Sequence, residues 1–387
     1  MFSNVIGQDL LKAKLCESVR NKRLAHAIIL SGEPGTGGLP LALALAQYLH
    51  CENKLENDSC GVCDSCNKHN KLIHPDMHFM FPSIKKGSSD APQLSSNWLS
   101  EWRHIIPSHP YITYFDWIQN IASGENKQGL ITKSDCHELI RVLSLKSYED
   151  NVKIQLIWLP EIMGQTANAL LKIIEEPPLD THFILVSENL DAVLGTILSR
   201  TQIYKLPPID DVSIAENIQS KFGKSSEEAA RIAGMSLGSW NQACRLAEGI
   251  EEVSNVLTVK EMLRYPMRKS LKNTRDAVEG MTKFAGVFHS AGREVQKNFL
   301  GYVSFFCREA IQLKLIGSCT LKGEELEFAQ AWIKVVDADQ IHQTASVLDQ
   351  TAYHIERYGY AKSVIMGALI KLSRIFAGEK FGNSILV

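Results

Sequence analysis

Short apolar runs separated by stretches of helical periodicity organise the first half of the chain. Residues 26–30, 78–81, 153–159, 182–186 and 202–206 are such runs. Continuous apolar runs between helices predict a parallel sheet covered on both faces. Between them, residues 40–50, 135–144 and 165–175 carry apolar positions at helical spacing. Pro40 stands in the first turn of the first stretch, where proline is tolerated. Thr132 and Asp135 have the spacing of a capping box ahead of the second. Pro177-Pro178 stops the third.

The pattern breaks between 82 and 128. Residues 83–96 are rich in Ser, Lys, Asp and Pro, and Trp98, Trp102, Tyr111, Tyr114, Phe115 and Trp117 follow. This predicts an insertion, about 83–128, with its own aromatic packing: a surface lobe laid on the core. A platform for nucleic-acid bases would interleave basic residues with the rings, and this segment does not. Pro207-Pro208 marks the next boundary. The expected organisation is an α/β core over 1–206, a small helical domain over 207–252 and an all-helical domain over 253–387. Helices are predicted at 325–336, 340–355 and 361–376, and no repeat of fixed period is present.

Composition narrows the function classes. The 387 residues are 45% hydrophobic and 22% charged, with a net charge of −2. That balance suits a multidomain globular protein and argues against coating nucleic acid by charge alone. The basic run Arg264, Arg268, Lys269, Lys272 and Arg275 reads as a solvated helical face. No apolar run reaches membrane-spanning length, and Met1 to Gln8 lacks a signal pattern, so no membrane role and a cytoplasmic location are expected.

The first chemical signal is Gly32-Glu33-Pro34-Gly35-Thr36-Gly37-Gly38-Leu39, after an apolar run and before a helix. It has the frame of a phosphate loop, G-x-x-x-x-G-K-[ST]. The Lys that meets the β- and γ-phosphates and the hydroxyl that holds Mg²⁺ are replaced by Gly38 and Leu39. Alone, the loop does not separate a lapsed nucleotide site from a plain glycine turn. The strand at 153–159 adds to the case. Trp158 and Leu159 stand where acids would hold Mg²⁺ and orient water, and Glu161 lies too far along, a position usually solvated. With the charge-compensating groups gone, hydrolysis and ATP binding by this chain are not expected.

The second signal is Cys51-x8-Cys60-x2-Cys63-x2-Cys66. Four thiolates in so short a span predict a closed tetrahedral Zn²⁺ site, with Gly61 easing the turn. Disulfides and a redox pair are the competing readings. His69 and His74 are read as bystanders, and the five scattered cysteines as small buried hydrophobes. The third signal is Ser199-Arg200 before the last strand. An Arg there is ordinarily a solvated surface residue. In a ring of subunits it can stabilise transition-state charge on a neighbour's γ-phosphate.

Together these pieces resemble the delta-prime subunits of the bacterial DNA polymerase III clamp loader. Val5-Ile6-Gly7-Gln8, His26-Ala27, the four cysteines, Ala167 to Lys172 with Glu175-Glu176-Pro177-Pro178, and Thr196-Ile197-Leu198-Ser199-Arg200 carry the resemblance, with Thr201 where the family's motif has Cys. It covers residues 1–80 and 130–250. It implies an AAA+ core, a helical lid (207–252) and a helical collar (253–387) for oligomerisation. It implies gamma/tau and delta subunits as partners, and the sliding clamp and primed DNA through the complex. Gly38 and Leu39 favour a non-hydrolysing member that supplies Arg200 in trans. Ser239 or Asn241 stands where active members carry a sensing Arg. The alternatives are an active gamma/tau-type ATPase, and a zinc or redox module that binds DNA on a lapsed fold.

Overall fold

The computed structural model describes residues 1–86, 93–122, 127–149, 152–249, 259–270, 274–356 and 360–378. Parts of the expected insertion (87–92 and 123–126), the expected 252/253 boundary and Lys272 lie outside the described residues. The chain divides into two compact units, Met1–Ile214 with Gly238–Gln242, and Ala215–Leu237 with Ala243–Val387.

In the first unit, β1 (Ala27–Ser31), β2 (Met77–Met80), β3 (Lys153–Trp158), β4 (Thr181–Ser187) and β5 (Gln202–Lys205) form one parallel sheet in the order β2-β3-β4-β1-β5. Each falls within or beside an expected apolar run. Register pairs Ile29 with Leu185 and Ile203, and Ile157 with Met80 and Leu185. Side chains alternate between faces along a strand. Ile28, Leu30, Ile154, Leu156, Trp158, Ile184 and Val186 enter one buried cluster. Ala27, Ile29, Ile157, Phe183 and Leu185 enter the other.

The helices of this unit are α1 (Asp9–Arg20), α2 (Gly38–His50), α3 (Asp64–Asn70), α4 (Leu99–Ile105), α5 (Tyr114–Ala122), α6 (Lys133–Leu143), α7 (Leu171–Glu175) and α8 (Gly195–Leu198). The capping box on α6 is formed: Thr132 Oγ1 accepts from the Asp135 amide, and the Asp135 carboxylate accepts from the Thr132 amide. The helix expected over 165–175 is instead a 3-10 segment, Pro160–Leu170, followed by α7. Gly164 at φ 50 and ψ −135 breaks the ladder, a conformation that only glycine adopts cheaply.

The aromatic insertion is not a lobe with a separate core. Trp102 and Trp117 are fully buried, in the same cluster as the strand residues. Trp102 stacks on Phe81 at the end of β2 with centroids 4.1 Å apart, and Trp117 meets both rings edge-on at 5.2 Å. Trp117 Nε1 donates to the Pro82 carbonyl at 2.7 Å, so burial leaves its polar edge satisfied.

The second unit is helical. Val259–Ser270, Thr274–Ser290, Arg293–Ile316, Gly323–Trp332, Ala338–Glu356 and Ala361–Phe376 share a core that includes Phe284, Phe288, Phe306, Trp332 and Leu369. Arg231 pairs with Glu325 at 2.9 Å, and Tyr302 donates to the same carboxylate. Arg264 and Arg275 are exposed, as the basic-face reading expects.

Candidate functional site

The glycine loop lies between β1 and α2, at the C-terminal edge of the sheet, where ligands of open α/β folds bind. Gly35 (φ 79) and Gly37 (φ 104) take left-handed backbone. Thr36 Oγ1 turns inward and donates to the Glu33 carbonyl at 2.7 Å. A β-carbon on Gly38 would stand 2.9 Å from Val186 Cγ1, so the position that should carry Lys is packed against β4. Pro40, in the first turn of α2, has no N–H and removes one donor that a phosphate would use.

Side chains crowd the loop's inner side. The Tyr111 ring lies 3.3 Å from where a Gly37 β-carbon would be, and its hydroxyl accepts from the Ile6 amide at 2.7 Å. Pro110, Tyr111, Ile112 and Trp158 line the loop's inner side and leave a cavity of about 20 Å³. That is enclosed room for roughly one water. Leu39 is 3% exposed and contributes to the core. On the loop's other side, the Trp240 amide donates to the Gly35 carbonyl at 2.9 Å, and a β-carbon on Gly35 would meet Ser239 Oγ and Asn241. Asn241 Nδ2 donates to Asp116 at 3.1 Å. The segment around Ser239 and Asn241, which carries no Arg, therefore packs on the loop.

Glu161 differs from its expected solvated state. It is half-buried, and Oε1 accepts from the amides of Glu188 (2.8 Å) and Asn189 (3.1 Å) beyond β4. Burial pushes its carboxyl up despite these donors. It anchors a loop at the rim of the site.

The four cysteines converge: their Sγ atoms all lie within 4.8 Å of one another. Cys51 follows α2, Cys63 caps α3 with its sulfur, and Cys66 lies within α3. Amides donate to the sulfurs, Cys60 N to Cys51 at 3.2 Å and Cys63 N to Cys60 at 3.4 Å. Donors from Val62 and Cys63 bring the Cys60 thiol down to about 6, while burial raises Cys51 and Cys66. All nine cysteines are free. Four convergent sulfurs with amide donors around them fit a metal ion.

His69 and His74, read as bystanders, are buried with His50 in a second cluster beside the first, their nitrogens also within 4.8 Å of one another. Burial holds His50 down at about 4 and His69 well below its ordinary value.

Arg200 is half-exposed and lies against its own chain. Its Nε and Nη2 meet Glu175 Oε2 at 3.0 Å each, and Nη1 donates to the Thr196 carbonyl at 3.1 Å. Ser199 Oγ donates to the same carbonyl at 3.1 Å. Sequence reasoning missed the Tyr111 plug and the His50 cluster. The available signal for the second was three histidines within 25 residues, without a recognised spacing.

A five-stranded parallel sheet in this order, a glycine loop after β1 and a helical second unit define an α/β AAA+ protein in which the Tyr111 ring packs against the glycine loop. A family model described as DNA polymerase III, delta subunit, matches residues 7–210, more than half of the chain. The chain belongs to that family. It is 28% identical over 209 residues to DNA polymerase III subunit delta' of Bacillus subtilis, covering 53% of this chain and 49% of the relative. It is 23% identical over 239 residues to subunit delta' of Escherichia coli, covering 61% and 58%. It is 24% identical over 218 residues to subunit tau/gamma of Haemophilus influenzae, covering 56% and 25%. The chain thus spans about half the length of the delta' relatives it matches, and both subunit types are among its relatives. Among the described residues no helix is long and apolar enough to cross a membrane.

Proposed function

We propose that the chain is a delta-prime-type, non-hydrolysing subunit of a DNA polymerase III clamp loader. The observation that carries this reading is the Tyr111 ring against Gly37, at a loop with no Lys, no metal-holding hydroxyl and no acid at the end of β3. Each missing group would neutralise charge in phosphoryl transfer. In this reading the chain works by shape and by one guanidinium. Residues 1–206 form the AAA+ core, 207–252 the lid and 253–387 the collar that meets gamma/tau and delta subunits. The assembled loader sets the sliding clamp on primed DNA in the cytoplasm.

Arg200 would act on ATP held by an adjacent subunit. To reach it, Arg200 must leave Glu175. An exposed pair of this kind holds it by only about 0–1 kcal/mol, so release is cheap beside the gain at a transition state. Cys51, Cys60, Cys63 and Cys66 would hold Zn²⁺. The ion would supply a closed structural tie between the end of α2 and α3, with no open position for chemistry.

The active gamma/tau-type reading predicts ATP turnover by the purified chain alone. The proposed reading predicts none alone, and turnover that appears only when gamma/tau-type partners are added. Brisk hydrolysis by the isolated chain would overturn it.

A further inference from the structure

We propose that His50, His69 and His74 form a second metal site, a three-nitrogen face for a divalent ion of the zinc class, separate from the four-cysteine cluster. The three residues are 3%, 4% and 3% exposed. Three imidazoles whose nitrogens converge in a core are the donor set that a zinc-class ion takes.

His50 has the arrangement of a ligand. Its Nε2–H donates to the Val152 carbonyl at 3.0 Å, which leaves the lone pair on Nδ1. That lone pair faces His69 Nε2 at 2.7 Å. Metal-bound imidazoles commonly give their other N–H to a carbonyl, which fixes tautomer and orientation. The His74 ring approaches both others, with centroids 4.1 Å from His50 and 4.8 Å from His69. Without metal, His69 Nε2–H donates to His50. When an ion enters, the His69 proton moves from Nε2 to Nδ1, and the His74 Nδ1 lone pair, which accepts from the Asp76 amide at 3.3 Å, turns to the metal while its proton stays on Nε2, so three lone pairs meet the ion with no net proton lost.

Imidazole donors suit zinc-class ions and not Mg²⁺ or Ca²⁺, which take oxygen ligands. His50 ends α2, His69 lies in α3 and His74 precedes β2, while Val152 leads into β3. The site therefore lies at the N-terminal edge of the parallel sheet, and the glycine loop at its C-terminal edge. An ion here would tie both helices to the sheet and take no part in phosphate chemistry.

The test loads the metal-stripped full chain with Zn²⁺, and separately with Co²⁺, and counts bound ions. The expected result is about two ions per chain, since each cluster supplies enough ligands for one. His69→Gln or His74→Gln should reduce this to about one and leave the thiolate-to-cobalt charge-transfer band intact. Cys60→Ser should weaken that band and spare the nitrogen-bound ion. The wild-type chain decides the matter if a variant fails to fold. A single ion carrying the full thiolate signature overturns the proposal. A single ion without that signature supports it and overturns the four-cysteine reading instead.

Discussion

Restoring the two missing loop residues should not restore nucleotide binding. The perturbation is Gly38→Lys with Leu39→Thr, which rewrites the loop as a complete phosphate-binding motif. To seat a triphosphate, the protein must still expel Tyr111 and Ile112, which are 7% and 6% exposed. Re-exposing each costs roughly 1.5–3 kcal/mol. Losing the hydrogen bond from the Ile6 amide to the Tyr111 hydroxyl adds roughly 0.5–1.5 kcal/mol. Opening the seat therefore costs roughly 3.5–7.5 kcal/mol. At about 1.4 kcal/mol per tenfold, the open form is about one part in 10³ to 10⁵. Apparent affinity falls by that fraction, so a site of about 1 μM intrinsic Kd binds at about 1 mM or weaker. Titration calorimetry with ATP, or a fluorescent ATP analogue, should show no saturable binding at about 100 μM for the double variant. Adding Tyr111→Ala should recover at least about tenfold in affinity. Micromolar binding by the double variant with Tyr111 intact would refute the plug.

Arg200→Ala should leave the melting temperature of the isolated chain nearly unchanged, because the Glu175 pair is exposed, yet lower ATP turnover of the reconstituted loader by about 10³ or more; undiminished turnover counts against the finger role. Cys60→Ser, or chelation, should release metal from the cysteine cluster and lower the stability of the first unit, since structural metal binding is coupled to folding; a chain that keeps its metal and its melting curve uses other ligands. Trp102→Ala should cost about 3–5 kcal/mol in denaturant unfolding, because a fully buried ring stacked on Phe81 leaves a cavity; a loss under about 1 kcal/mol would mean the insertion is only loosely attached. Burial holds the pKa of His182 below the ordinary 6.5, although the Ala25 carbonyl acts to raise it. The unfolded chain then takes up the proton first, so stability is full above pH 6.5 and falls as pH drops below it. Replacing His182 with Gln should lessen that slope, to which the buried His50 and His69 also contribute, and an unchanged slope would show that His182 does not contribute.

The elements that depend on local pattern were readable in the chain. β1, β3 and β4 follow apolar runs because both faces of the sheet are buried there, whereas β5 at the edge buries only Tyr204, and α6 starts after Thr132 because the Thr132–Asp135 cap closes within one turn. What the pattern concealed depends on distance in sequence. Tyr111 lies 74 positions after Gly37, and nothing local marks its ring as the occupant of the phosphate seat. The insertion's polar start, 83–96, gave it the character of a surface lobe, whereas its tryptophans complete the core above β2 and β3. Glu161 was displaced from the usual acidic position, and only the fold brings the amides of Glu188 and Asn189 to it. The four cysteines could be grouped from their spacing, because short C-x-x-C links bring ligands together whatever the rest of the fold does. The histidines required α2, α3 and β2 to be assembled first.

The persistence of the loop's glycines needs an explanation that does not invoke phosphate. A β-carbon on Gly32 would meet Thr36 Oγ1 at 2.6 Å and Leu206 Cβ at 2.9 Å. On Gly35 it would meet Ser239 Oγ at 2.1 Å, at a φ of 79 that already disfavours any side chain. On Gly37, at φ 104, it would press on Tyr111. Packing and backbone conformation therefore demand glycine at each of these positions. The glycines and the two lost residues answer to different requirements. Lys and the hydroxyl serve only the bound nucleotide and its metal, so nothing in a filled site retains them. The glycines hold β1, α2 and the 238–242 segment in contact, so the fold needs them to keep its shape whether or not the loop meets phosphate.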